Sequence, residues 1–215
     1  MTKPLWLIEW RCEGEALRAL EPTDAEAAAA APALAAYYND PVNRRLLGNT
    51  TSLAAGDVAA FYRDLRASGG RPLLLWRNGV LVGDADLRRV DPAAGTAEFA
   101  ILIGDRALQG RGLGTRFATM AHTWAFATLG LARLHVAIVA GNVASTRLFE
   151  RLGYRRDDGP GARASADDAD DLTMSITRAE FEAARGGAGA GPGLGVGVEL
   201  VLRAREAPGG SAPTE

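Results

Sequence analysis

The stretch Gln109-Gly110-Arg111-Gly112-Leu113-Gly114-Thr115 constrains this chain more than any other. A β-branched and aliphatic run, Glu98-Phe99-Ala100-Ile101-Leu102-Ile103, leads into it. An amphipathic stretch from Leu113 to about Leu129 follows. Strand, glycine-rich turn, helix is the arrangement that aims backbone N–H groups and a helix N-terminus at an anion. Gly110, Gly112 and Gly114 carry no Cβ, so a phosphate can approach the main chain closely. Arg111 and Arg116 add positive charge at the same end. The first expectation is therefore a phosphate- or pyrophosphate-binding turn, and the bland alternative is a glycine-rich connection that binds nothing.

Two common phosphate motifs fail on spacing. A Walker-type loop needs Gly-Lys followed by Ser or Thr, and the chain contains no Gly-Lys pair. A dinucleotide fingerprint, Gly-x-Gly-x-x-Gly, would end on Thr115 or Phe117. The turn does match Gln/Arg-x-x-Gly-x-Gly/Ala, with Gln109, Gly112 and Gly114 in place. Further on, Gly141-Asn142-Val143-Ala144-Ser145-Thr146-Arg147-Leu148-Phe149-Glu150-Arg151-Leu152-Gly153-Tyr154 follows an expected strand, Arg133 to Val139. Both segments, in this order, resemble the two signature motifs of the GCN5-related N-acetyltransferases, the GNAT superfamily. The resemblance spans roughly Glu15 to Phe181. Asn39-Asp40-Pro41, followed by Val42, Arg44 and Arg45, resembles the start of the acceptor-side loop in the Rim-type branch, which acetylates ribosomal-protein N-termini.

The resemblance implies an α/β (α+β) fold: a mixed, mostly antiparallel sheet with helices on both faces, its strands splaying beside the one that carries Ile101 to Ile103. It implies acetyl-coenzyme A as acyl donor, with the pyrophosphate held at Gln109, Gly110, Arg111, Gly112, Leu113, Gly114 and Thr115. The pantetheine arm would pair with the backbone of Ile101, Leu102 and Ile103. Asn142 would hydrogen-bond near the pantetheine, or cap the helix it opens, or do both. Glu98, on the strand entering the site, is the candidate base for the acceptor amine; a structural carboxylate is the other reading. Many relatives place a tyrosine where this chain has Phe149, which has no proton to give the leaving thiolate. Ser145, four residues earlier on the same helical face, is the candidate to orient that thiolate or relay a proton.

The acceptor is expected to be a primary amine, with a protein or peptide N-terminal α-amine preferred. An α-amino group, with a pKa of about 7.7–8.0 against about 10.4 for lysine, needs no strong base at neutral pH. Polyamine, aminoglycoside and other small-molecule amines stay open as acceptors, as does a non-catalytic module that senses acetyl-coenzyme A. A net charge of −2 over 215 residues leaves no electrostatic footprint for nucleic acid. No stretch approaches a membrane span. Cys12 is the only cysteine, which excludes an intrachain disulfide and suits a cytoplasmic protein; Cys12 reads as an inert strand residue. A monomer or homodimer is expected. No metal-ligand spacing occurs; His122 and His135 read as core or surface residues. Asp167, Asp168, Asp170 and Asp171 read as solvated loop or as an attractor for a cationic acceptor.

Locally, Thr23 and Glu26 form a capping-box signature, Pro32 should kink or restart the alanine-rich helix behind it, and Asn78-Gly79 marks a hairpin. Residues 1–182 are expected to form the acetyltransferase domain. Residues 183–215 are expected to be a Gly/Ala/Pro-rich, disordered tail, with Val196 to Leu202 as an alternative edge strand or partner-binding segment.

Overall fold

The computed structural model describes residues 4–12, 14–186 and 199–205. The chain opens with a hairpin, β1 (Leu5–Cys12) and β2 (Glu15–Leu20), followed by α1 (Asp24–Asn39), α2 (Pro41–Leu46) and α3 (Ala55–Ala67). Three long strands follow: β3 (Arg71–Arg77), β4 (Val80–Asp91) and β5 (Thr96–Ile103). The second half runs α4 (Leu113–Ala127), β6 (Arg133–Ile138), α5 (Val143–Leu152), β7 (Arg155–Arg156), α6 (Pro160–Arg163), β8 (Leu172–Thr177), α7 (Arg178–Gly186) and β9 (Glu199–Arg205). All strands join one sheet, in the order β7-β8-β6-β5-β4-β3-β2-β1-β9. Neighbours are antiparallel except β5 and β6. This is the mixed, mostly antiparallel sheet with helices on both faces that the resemblance implies.

Several elements form where local chemistry places them. Thr23 accepts from the Glu26 N–H, and Glu26 returns the bond to the Thr23 N–H at 2.8 Å, which closes the capping box of α1. Asn78 and Gly79 sit at φ 48° and 80°, the paired left-handed conformation of a two-residue hairpin turn. Pro32 does not interrupt α1, which continues to Asn39. The residue is exposed, and the carbonyl it leaves without an N–H partner belongs to exposed Ala28, where solvent can reach it.

The sheet alternation assigns each side chain to a layer. Phe99 packs edge-on against His122 of α4 and Phe149 of α5. Leu113, Phe117, Met120 and Trp124 of α4 are buried against the same face, as their spacing predicts. On the other face α1 and α3 bury Leu34, Val58 and Tyr62 over β3 and β4. The opposite edge corrects one expectation. Residues 199–205, within the segment read as tail, form β9 and pair antiparallel with β1, from Leu5 opposite Arg205 to Arg11 opposite Glu199. Arg205 then reaches Glu26 at 2.7 Å. This supports the edge-strand alternative, shifted three residues along the chain. The disorder expected for residues 187–198 and 206–215, and the side chain of Cys12, lie outside the described residues.

Candidate functional site

The site begins where the sheet parts. β5 and β6 share only three rungs, Thr96–Arg133, Ala97–Leu134 and Glu98–His135. Beyond Glu98 the two strands diverge, and the β6-facing edge of Ile101 to Ile103 carries no ladder. A cleft of about 360 Å³ opens there. Its walls bring together Ile101, Leu102, Ile103, Gln109, Gly110, Gly112, Gly114, Thr115, Asn142 and Ser145, all expected from the sequence. Three expected residues do not line it. Arg111 is exposed on the outside of the turn, Leu113 is 2% exposed in the core, and Glu98 sits at the last shared rung.

The turn is built for an anion. Gly110 and Gly112 adopt φ +72° and +78°, and a Cβ on either would meet nothing within 4 Å. Gly112 is the N-cap of α4. The N–H groups of Gly110 to Thr115 find no acceptor among the described residues. Consecutive free donors at the positive end of a fifteen-residue helix are what a pyrophosphate requires. Gly114 serves packing instead: a Cβ there would come within 2.8 Å of Leu148 Cδ1, so α4 and α5 meet through it.

Two motif side chains turn inward to the protein. Gln109 donates to the Ile103 carbonyl at 2.7 Å and to Asn43 Oδ1 at 2.9 Å, bracing the turn against β5 and α2. Asn142 accepts from the Ser145 N–H at 3.1 Å, capping α5, while its amide donates to the Leu46 carbonyl at 3.0 Å. The cap reading of Asn142 thus carries a second task, tying α2 across the cleft. The Ser145 hydroxyl lines the cleft and has no partner among the described residues.

Sequence reasoning missed one wall and part of another. Asn43, Leu46 and Leu47, in and just after α2, close one side. Asn43 is 1% exposed and donates to both Tyr37 and Gly104 carbonyls. No local pattern announces this role. Arg147 and Arg151 line the opposite side, and neither has an acidic partner among the described residues. Here a signal existed: Ala144, Arg147, Leu148 and Arg151 repeat at i, i+3, i+4 and i+7 on α5.

Glu98 is 6% exposed. Burial raises its carboxyl above the ordinary range, against the lowering pull of Arg88 and Arg89. Arg89 is ion-paired to it, from a left-handed backbone at φ 49° beside a β-bulge. Asp171 spends its carboxylate inside its own loop, on the N–H groups of Asp167 and Asp168 at 3.2 and 3.1 Å.

Comparison with known proteins places this geometry. A family model described as an acetyltransferase (GNAT) domain matches residues 16–155. The chain belongs to the GNAT family. Among curated relatives, the L-methionine sulfoximine/L-methionine sulfone acetyltransferases of Pseudomonas paraeruginosa and Pseudomonas aeruginosa are 33% identical over 129 residues, covering 57% of this chain and 73% of theirs. Aminoglycoside acetyltransferase AAC(6')-Ib, solved with ribostamycin and coenzyme A, superposes with a TM-score of 0.65 at 19% identity, covering 84% of this chain and 99% of that one. RimJ of Mycobacterium smegmatis, solved with CoA-disulfide, gives 0.62 at 17% identity, covering 83% and 90%. The protein is an acetyl-coenzyme A-dependent N-acetyltransferase of the GNAT type. No helix among the described residues is long and apolar enough to cross a membrane.

The departure from the family pattern has a structural setting. Phe149 is 4% exposed and packs edge-on against Phe99 and against Tyr154, with centroids 6.2 and 5.0 Å apart. Tyr154 spends its hydroxyl within this aromatic core, donating to His122 Nε2, 2.6 Å away, and has no other partner among the described residues.

Proposed function

We propose that this GNAT enzyme, of the Rim-type branch, holds acetyl-coenzyme A in the cleft between β5 and β6 and transfers its acetyl group to the α-amine of a peptide N-terminus or amino acid. The observation that carries this reading is the row of acceptor-free N–H groups from Gly110 to Thr115, opening onto the unpaired edge of β5. Acetyl-coenzyme A supplies the activated acyl group. The chain's own residues bind and orient it. The glycine turn receives the pyrophosphate, and the backbone of Ile101 to Ile103 offers a strand edge to the pantetheine amides. Ser145 sits where its free hydroxyl can hydrogen-bond a leaving sulfur. An α-amine suits the chain because Glu98 is tied to Arg89 and is not a free strong base. The curated relatives are named for substrates that are themselves α-amino acids.

The test is coenzyme A release from acetyl-coenzyme A with an alanine-led peptide, L-methionine sulfone, spermidine and ribostamycin as acceptors. Release with the first two, and little with the others, is the expected result. Release only with spermidine or ribostamycin would replace the α-amine with a small polyamine or aminoglycoside. Acetyl-coenzyme A binding without release would favour the sensor.

Two further results are expected at this site. Arg147→Ala combined with Arg151→Ala should weaken acetyl-coenzyme A about 10- to 100-fold, from two lost charge-assisted contacts to phosphate. Its affinity should also depend less steeply on salt. Titration calorimetry at two ionic strengths reads both, and an unchanged affinity would remove the arginines from the site. Ser145→Ala should lower kcat about 10-fold while leaving the KM for acetyl-coenzyme A near its wild-type value. A matched rise in KM with unchanged kcat would make Ser145 a binding residue only.

A further inference from the structure

One wall of the cleft is built by a residue that belongs to neither signature motif. Asn43 sits in α2 and is 1% exposed. Its carboxamide is fully engaged. Nδ2 donates one proton to the Tyr37 carbonyl at 3.0 Å and the other to the Gly104 carbonyl at 2.9 Å. Oδ1 accepts from Gln109 Nε2 at 2.9 Å. Such a buried amide is fixed in orientation, because turning it over would set its protons against a donor and its oxygen against two carbonyls. At the surface Asp40, which caps α2, adds a second tie to the same region by pairing with Arg106 at 3.6 Å.

These partners enclose the segment that joins β5 to the glycine turn. Gly104 is the first residue after β5, and Gln109 is the last before Gly110. Gln109 Nε2 also donates to the Ile103 carbonyl, the last of β5, at 2.7 Å. The segment is therefore closed on itself at a single amide, and Asn43 Oδ1 holds that amide in place. On its other side the segment has no slack. A Cβ on Gly104 would come within 2.1 Å of the Tyr37 ring, so this backbone already lies against α1. Removing the Asn43 carboxamide would strand the Tyr37 and Gly104 carbonyls and leave the Gln109 amide with one anchor. Because Tyr37 blocks the way to α1, the loosened segment could move only away from it, carrying the turn along.

We propose that Asn43 is a positioning residue for the acyl donor: acting through Gln109, it sets the spacing between the edge of β5 and the N–H groups of the glycine turn. Acetyl-coenzyme A engages both places at once, with its pantetheine on Ile101 to Ile103 and its pyrophosphate on Gly110 to Thr115. A ligand held at two places gains affinity when their spacing is fixed before it arrives, since less of the protein has to be ordered on binding. The inference rests on the reading of the cleft as the acetyl-coenzyme A site. It adds to that site a residue 66 positions ahead of Gln109.

The test is a double-mutant cycle, read by calorimetry of acetyl-coenzyme A binding and by thermal melting. Asn43→Ala and Gln109→Leu should each weaken acetyl-coenzyme A about 10-fold, the scale of one lost buried hydrogen bond. The double variant should also lose about 10-fold rather than about 100-fold, because both changes break the same path. Melting should behave differently. Asn43→Ala should lower Tm in either background, since the Tyr37 and Gly104 carbonyls are stranded with or without Gln109. Affinity losses that multiply would make Asn43 an independent contact to the ligand. Affinity within about 2-fold of wild type in Asn43→Ala would make the residue structural only. Either result overturns the inference. Gln109 is part-exposed, so Gln109→Leu keeps the test decisive if Asn43→Ala does not fold: wild-type affinity in Gln109→Leu overturns the inference as well. Failure of wild-type protein to bind acetyl-coenzyme A would instead overturn the reading of the cleft.

Discussion

Gly112→Glu is expected to weaken acetyl-coenzyme A by at least about 100-fold while the protein stays folded. Three effects point the same way. A side chain at φ +78° costs on the order of 1 kcal/mol and pulls the N-cap of α4 away from its left-handed geometry. The new chain occupies the space where a phosphate would approach the free N–H groups. Its carboxylate places a negative charge at the positive end of α4, where the ligand's own charge would sit. Because a Cβ at position 112 meets nothing within 4 Å, the core is untouched and Tm should shift by only a few degrees. Gly114→Ala is the contrasting case. Its Cβ would lie 2.8 Å from Leu148 Cδ1, the far end of a flexible side chain at the cleft, so Leu148 turns aside and acetyl-coenzyme A affinity should fall far less than in Gly112→Glu. Calorimetry and thermal melting on both variants read the difference. A Gly112→Glu protein that binds acetyl-coenzyme A like wild type would remove the glycine turn from the site.

The second large effect is in the core. His122 is 0% exposed, ringed by Phe99, Phe126, Tyr154 and Phe181. Its Nδ1 lies 2.6 Å from the Ala118 carbonyl, which can only accept, so Nδ1 carries the proton. Nε2 then accepts from the Tyr154 hydroxyl at 2.6 Å. Both nitrogens are satisfied in the neutral ring, and burial pushes the imidazole down to about 3. His122→Ala should cost roughly 3–5 kcal/mol near neutral pH, from the cavity and from a stranded Tyr154 hydroxyl.

The pH dependence of that loss has a definite sign. An unfolded histidine takes its proton near pH 6.5, but the folded one does not until about pH 3. Between those values the unfolded chain binds more protons, so wild-type stability falls as pH falls, by about 1.4 kcal/mol per unit from this group. Asp84, raised to about 6 by burial, pulls the opposite way between its unfolded value and pH 6, because there the folded state binds the extra proton. The Asp84 contribution is common to wild type and variant and cancels in their difference. The stability gap between wild type and His122→Ala should therefore narrow steadily from pH 6 to pH 4 in urea titrations. A constant gap would mean that His122 is charged in the folded core.

What the sequence determined by itself was local. The capping box at Thr23 and Glu26, the left-handed pair Asn78-Gly79, the glycines that bend the turn and the cap at Asn142 each depend on residues within a few positions of one another. Short-range sterics and hydrogen bonding decide them, so they are legible in order along the chain. The apolar stripe of α4 is legible for the same reason. So were ten residues of the cleft, because the turn, the strand before it and the start of α5 are each recognisable motifs.

The tertiary structure decided what depends on distant partners. The divergence of β5 from β6 after Glu98 follows from pairing across an intervening helix. Asn43 becomes a wall because Gln109, 66 positions away, needs an acceptor. Glu98 leaves the cleft and joins Arg89 because a bulge turns β4 at that point. β9 joins β1 although the strands lie at opposite ends of the chain, because an apolar edge beside Trp6 and Trp10 needs a hydrogen-bonding neighbour. The setting of Asp84 belongs here too: Asp84-Ala-Asp86 is an ordinary pattern in a strand, and only packing under α1 and α3, with Tyr38 and Tyr62 donating to it, buries the first carboxylate.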